Sequence, residues 1–135
     1  MKKPLVVVID DVDDTLELIK YNFSKQGMEV ESFVSPILAL KFIEQSTPSI
    51  IISDWMMPEL EGPELLKILK QNPRTAQIPF IMLTCKNNNK DWQHAIQNGA
   101  TDYIVKPVKM SKLMARIEEI IYLGGGFSSN FNLES

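Results

Sequence analysis

Cysteine is almost missing from this chain: Cys85 is the only one among 135 residues. A single thiol excludes an internal disulfide framework and fits a reducing compartment, so a cytoplasmic location is expected. Long apolar runs are missing too. No stretch approaches the roughly 18–20 apolar residues that cross a bilayer. The opening MKKPLVVVIDD turns acidic too soon for a signal peptide. Nor is there an excess of positive charge. The 14 Lys and Arg face 17 Asp and Glu, the net charge is −3, and the lysines are scattered. That leaves no electrostatic footprint for nucleic acid, and neither DNA nor membrane is expected as a direct partner. Internal repeats are absent as well. What remains is an ordinary globular composition, 44% hydrophobic and 23% charged. A chain of this length forms one domain that buries about two-thirds of its unfolded surface without a staple.

Apolar blocks alternate with segments of helical period. LVVVI (5–9) reads as a strand buried on both faces, and TLELIKYNFSKQG (15–27) as an amphipathic helix with Leu16, Ile19 and Phe23 inward. Asp13 or Asp14 is the expected N-cap of that helix, and Gly27 its stop. EVESF (29–33) alternates like a half-exposed strand. Ser35 caps a helix with Pro36 at its first position, running to about Gln45. Strands follow at 50–54, 79–84 and 102–105, with helices at 62–71, 89–99 and 110–123. Five strand–helix pairs with continuous apolar strands predict an α/β fold: a doubly wound, five-stranded parallel sheet with helices on both faces. The expected strand order is 2-1-3-4-5, with a ligand site at the carboxyl ends of the first and third strands. The domain is predicted over 1–123, and GGGFSSNFNLES (124–135) as a flexible tail or linker stub.

Several chemically capable residues fall at one end of that sheet. Asp10, Asp11 and Asp54 stand where the first and third strands stop. Three carboxylates so placed repel one another unless a hard cation sits among them, and Mg²⁺ suits such an oxygen cage. Thr84 closes the fourth strand with a hydroxyl, and Lys106 closes the fifth with an ammonium before Pro107. Taken singly, each has a plain structural reading as a cap, a turn residue or a solvated charge. Their conjunction at one rim supplies the parts for phosphoryl transfer to a carboxylate.

These residues resemble the receiver domain of bacterial two-component response regulators. VVVIDD is similar to the family's acidic pair and IISDWMMPELEG to its acceptor strand and D-x-x-M-P-x-x-x-G loop. IMLTC is similar to its switch strand, and NGATDYIVKP to its G-A-x-D-Y-(I/L)-x-K-P signature. The resemblance implies a signalling switch rather than an enzyme. Asp54 accepts a phosphoryl group from a phosphohistidine on a sensor kinase or phosphotransfer protein. Asp11 and Asp54 ligate Mg²⁺ with the main-chain carbonyl of Met56, and Asp10 holds it through water. Lys106 pairs with Asp54 at rest and with the phosphoryl group afterwards. Thr84 hydrogen-bonds that group, and Tyr103 follows by changing rotamer. A cis Lys106–Pro107 peptide is implied, as is a downstream protein target on the face of the fourth helix, fifth strand and fifth helix. Trp92, His94, Tyr103 and Lys109 are expected on or beside that face.

Departures from the pattern carry their own expectations. Met56, two positions after the acceptor, is apolar where many members carry a polar group, and Lys86 stands two after Thr84. Both predict an altered phosphoryl lifetime. KPVKMSKLMARI resembles the fifth-helix segment of members that dimerise on phosphorylation, with Arg116 in place. A phosphorylation-dependent homodimer is thus among the partners the resemblance implies, although Lys112 stands where an acid is expected, a charge reversal that counts against the familiar salt bridges. The sequence also admits two rival readings. DVDDTL (11–16) resembles the nucleophile motif of haloacid dehalogenase-like phosphatases, with Asp11 as nucleophile and Asp13 as acid/base. Against it, position 10 is Asp rather than apolar, and Asp54 is left without a role. A phosphorylation-independent docking module is the third class, although such modules usually lack one of the five residues retained here.

Overall fold

In a computed structural model, residues 3–11 and 13–124 are described. Five strands and five helices alternate along them: β1 Leu5–Ile9, α1 Asp13–Lys25, β2 Glu29–Phe33, α2 Pro36–Ser46 and β3 Ile50–Ser53 come first. Then follow α3 Gly62–Gln71, β4 Phe80–Thr84, α4 Asn89–Gln97, β5 Asp102–Val105 and α5 Met110–Leu123. The strands form one parallel sheet in the order β2-β1-β3-β4-β5. This is the order expected from the alternation, and among the described residues no helix is long and apolar enough to cross a membrane. Most of the tail predicted over 124–135 lies outside the described residues.

Period-two alternation in the central strands divides the core between two layers. Val6, Val8, Ile50, Ile52, Ile81 and Leu83 point toward α1 and α5, where Leu16, Ile19, Phe23, Leu113 and Ile117 meet them. Val7, Ile9, Ile51, Phe80 and Met82 point the other way, onto Ala39 and Ile43 of α2, Leu65 and Leu69 of α3 and Ala95 of α4. Apolar side chains on both faces explain why these strands read as unbroken hydrophobic runs. The edge strand β2 is more open instead, alternating exposed and buried over its first three residues and half-buried at Ser32 and Phe33.

Element ends shift slightly from the sequence reading. Helix α1 begins at Asp13, so Asp13 and Asp14 fall in its first turn rather than at the cap. There the exposed Asp14 carboxylate lies in the first turn, at the positive end of the helix dipole. Ser35 caps α2 as expected, its Oγ accepting from the Leu38 N–H at 3.2 Å, with Pro36 at the first position. Strand β3 ends at Ser53, one residue before the acid, but the Asp54 N–H still donates to the Ile9 carbonyl at 3.0 Å. That bond ties the third strand's tip to the first.

Candidate functional site at the carboxyl edge of the sheet

Parallel strands all present their carboxyl ends at one rim, and β1 and β3 are neighbours in register from Val6 with Ile50 to Ile9 with Ser53. The residue following each therefore arrives at the same place. Carboxylate oxygens of Asp10, Asp11 and Asp54 lie within 4.8 Å of one another. Asp10 is buried, 2% exposed, whereas Asp11 is open to solvent. The Asp10 N–H donates to the Phe33 carbonyl of β2 at 3.0 Å, which fixes that acid's backbone.

Lys106 reaches this cluster from the end of β5. Its Nζ stands 2.6 Å from Asp10 Oδ2 and 3.4 Å from Asp54 Oδ2. The expected pairing with Asp54 is thus shared, and the shorter contact is to Asp10. Burial alone would push the Lys106 ammonium down, but the hydrogen bond and charge of Asp10, joined by those of Asp54, hold it above the ordinary lysine value. The Lys106–Pro107 peptide is cis, as the resemblance implied.

Asp54 is anchored from three sides. The Trp55 N–H donates to Asp54 Oδ1 at 2.6 Å, and Ser53 Oγ donates to the Asp54 carbonyl at 2.8 Å. The third side is the start of α3. Gly62 donates its N–H to the Trp55 carbonyl at 2.7 Å. A Cβ placed on Gly62 would come within 2.5 Å of the Asp54 carbonyl oxygen and 2.9 Å of Met82 Sδ. Only glycine lets α3 begin this close to the acid. Met56, whose carbonyl was expected at a metal, is in the same loop with its side chain 60% exposed. Ser35 Oγ donates to Glu59 Oε1 at 2.7 Å and links this loop to the start of α2.

Thr84 and Tyr103 lie on the adjoining strands and are buried. Thr84 Oγ1 accepts from the Lys86 N–H at 3.3 Å, and the Tyr103 hydroxyl donates to the Lys86 carbonyl at 2.7 Å. Tyr103 is therefore turned inward in this structure. Burial chiefly, then the charges of Asp91 and Asp54, push its phenol well above the ordinary value, so it stays a donor.

The sequence reading assigned no part to Trp55, which the fold puts at the centre of this region. Its ring lies 6.4 Å from Tyr103 in a T-shaped arrangement and 6.0 Å from His94. Lys86 Nζ stands 5.2 Å above it and 3.5 Å from Asp91. A tryptophan directly after Asp54 was the available signal, but periodicity alone gives no contact between β3 and α4. Trp92 is half-buried against the core and His94 is exposed. Asp13, the acid/base of the phosphatase reading, begins α1, and its side chain lies outside the description.

Comparison with known proteins separates the receiver reading from the phosphatase one: residues 6–118 match the response regulator receiver domain family. The chain belongs to that family. This receiver domain is 33% identical over 118 residues to the phosphate regulon transcriptional regulatory protein PhoB of Rhizobium meliloti, covering 87% of this chain and 52% of that protein. An uncharacterized 14.6 kDa protein of Leptolyngbya boryana is 31% identical, with 84% of this chain and 87% of that one covered. The solved receiver domain of the Francisella response regulator 1452 superposes with a TM-score of 0.84 at 28% identity, covering 91% of this chain and all 100% of the other. The receiver domain spans about half the length of several curated relatives, PhoB among them. Membership in the family overturns the phosphatase assignment, and with it Asp11 as a nucleophile.

Proposed function

We propose that this receiver domain is a phosphorylation-dependent switch whose acceptor is Asp54. One oxygen of the Asp54 carboxylate attacks the phosphorus of a phosphohistidine on a kinase or phosphotransfer partner. The P–N bond breaks and the imidazole leaves. The observation that carries this reading is the juxtaposition of three carboxylates within 4.8 Å with an ammonium that touches two of them. The donor set fits Mg²⁺, since it is all oxygen, strongly anionic and open to water on the Asp11 side. Asp10, Asp11, Asp54 and the Met56 carbonyl are the residues that would hold the ion. When bound, it neutralises charge on the transferring group.

The remaining residues act around that acceptor. Lys106 turns from the carboxylates to the phosphoryl oxygens, a charge-assisted contact. Thr84 donates its hydroxyl to the same group. Because Thr84, Lys86 and Tyr103 are hydrogen-bonded in series, a shift of Thr84 is felt at Tyr103. The new charge thus biases the α4–β5–α5 face, where a downstream target docks. Arg116 is already engaged with Asp102 and Glu119 of its own chain, and Lys112 is exposed, so a homodimer bridged by those charges is disfavoured.

Intact-mass analysis after incubation with a small acyl phosphate and Mg²⁺ tests the proposal. A phosphoryl adduct is expected in the parent protein and absent in Asp54→Asn. An adduct that persists in that variant would overturn the assignment.

A further inference from the structure

Hydrogen bonds run end to end from the Thr84 hydroxyl to the outer surface of α5. Two of them, from the Lys86 N–H to Thr84 and from the Tyr103 hydroxyl to the Lys86 carbonyl, belong to the site described above. The rest lie beyond it. The Tyr103 N–H donates to Asp102 Oδ1 at 2.7 Å, and Arg116 Nε donates to Asp102 Oδ2 at 2.6 Å. Arg116 Nη1 then donates to Glu119 Oε1 at 2.8 Å.

The register explains why Asp102 is needed there. β5 is the last strand of the sheet, with Tyr103 paired to Met82 and Val105 to Thr84. Lys106 N–H donates to the Thr84 carbonyl at 2.8 Å. In a parallel ladder the bonding residues alternate, so the Tyr103 N–H faces away from β4, at the open edge. Such an edge donor ordinarily goes to water or recruits another strand. Here it is taken by a carboxylate only 6% exposed. A buried carboxylate stays where it is only while a cation holds it, and Arg116 is that cation.

We propose that Arg116 is a positioning residue for the switch tyrosine: by holding Asp102 it fixes the Tyr103 backbone, and so sets where the Tyr103 ring meets Lys86 and Trp55. Its signalling consequence rests on the phosphorylation reading above; the tether itself does not. With α5 joined to Tyr103 from one side and Thr84 from the other, the state of the acceptor and the position of α5 are coupled.

Amide hydrogen exchange and nitrogen–proton NMR on the whole unphosphorylated chain test the tether. Arg116→Met is expected to speed exchange of the Tyr103 amide at least about tenfold, with the Lys106 amide, bonded to β4, changing less than about threefold. The Trp55 indole resonance shifts with it, because the Tyr103 ring lies against that side chain. Arg116→Lys restores part of the protection, and Lys112→Met, one turn earlier on α5, leaves Tyr103 unchanged. If Arg116→Met fails to fold, Asp102→Asn combined with Arg116→Met removes the buried charge with its partner and is read by the Tyr103 and Trp55 resonances. Tyr103 exchange within about twofold of the parent, or a uniform rise across β5 and α5, would overturn the proposal.

The coupling is read separately, as the acetyl phosphate concentration giving half-maximal phosphorylation in Mg²⁺. Arg116→Met is expected to move it at least about threefold and Lys112→Met to leave it in place; equal values refute the coupling. A parent protein that takes up no phosphoryl group refutes the phosphorylation reading instead, while the exchange data still decide the tether.

Discussion

Replacing Lys106 with Met tests whether the acidic cluster is held together by the Lys106 ammonium. In the parent, Lys106 is 2.6 Å from a carboxylate whose side chain is 3% exposed, and its own side chain is 14% exposed. Removing one partner of a buried pair leaves an uncompensated charge, which costs about 3–5 kcal/mol. The neighbouring acids add to that cost, since unit charges about 4 Å apart repel by about 4 kcal/mol at an effective dielectric of 20. Asp11 is open to solvent, which weakens its share, so a loss near 3 kcal/mol is expected. For a domain of this size that lowers the melting temperature by roughly 10 °C. Thermal and urea unfolding in metal-free buffer at neutral pH provide the measurement. Asp10→Asn together with Lys106→Met removes the buried charge and is expected to recover more than half of the loss. Saturating Mg²⁺ should stabilise Lys106→Met more than the parent, because the cation then replaces the missing ammonium. A single-variant loss below about 1 kcal/mol, or a double variant no better than the single one, would refute the reasoning. The sign with pH also follows. A lysine raised above its ordinary value contributes stability in full below 10.5 and loses it as pH rises through the folded-state value. Alkaline unfolding should therefore be steeper in the parent than in Lys106→Met.

Two further substitutions probe the loops around Asp54. Gly62→Ala brings a methyl within 2.5 Å of the Asp54 carbonyl oxygen, where backbone must yield. Overpacking of this kind costs about 1–3 kcal/mol, and displacement of Asp54, the proposed acceptor, should also slow adduct formation in the mass assay; an unchanged rate and melting temperature would refute the close approach. Met56→Asn puts a polar group two positions after Asp54, the proposed acceptor, where the native residue is apolar and 60% exposed. Autodephosphorylation followed by intact mass should change by more than twofold, and equal rates would show that the side chain at 56 has no part in phosphoryl lifetime.

Much of this protein could be read along the chain because its decisive features are local. Apolar runs of four or five residues, Pro36 after Ser35, and acids or a lysine directly following strands mark their elements without reference to distant residues. Parallel pairing then carries Asp10, Asp11, Asp54, Thr84 and Lys106 to one rim, since every strand of such a sheet points the same way. Tertiary contact decided the rest. Whether Lys106 lies nearer Asp10 or Asp54, which way Tyr103 turns, and that Trp55 meets His94 and Lys86 all depend on how helices settle on the sheet. The clearest case is Arg116. Its charge is visible in the sequence, but its pairing with Asp102 arises only because β5 ends the sheet beside α5, leaving a buried carboxylate and an open backbone donor to be satisfied together. Periodicity assigns residues to faces; the distances that let charges and hydrogen bonds find one another belong to the packed structure.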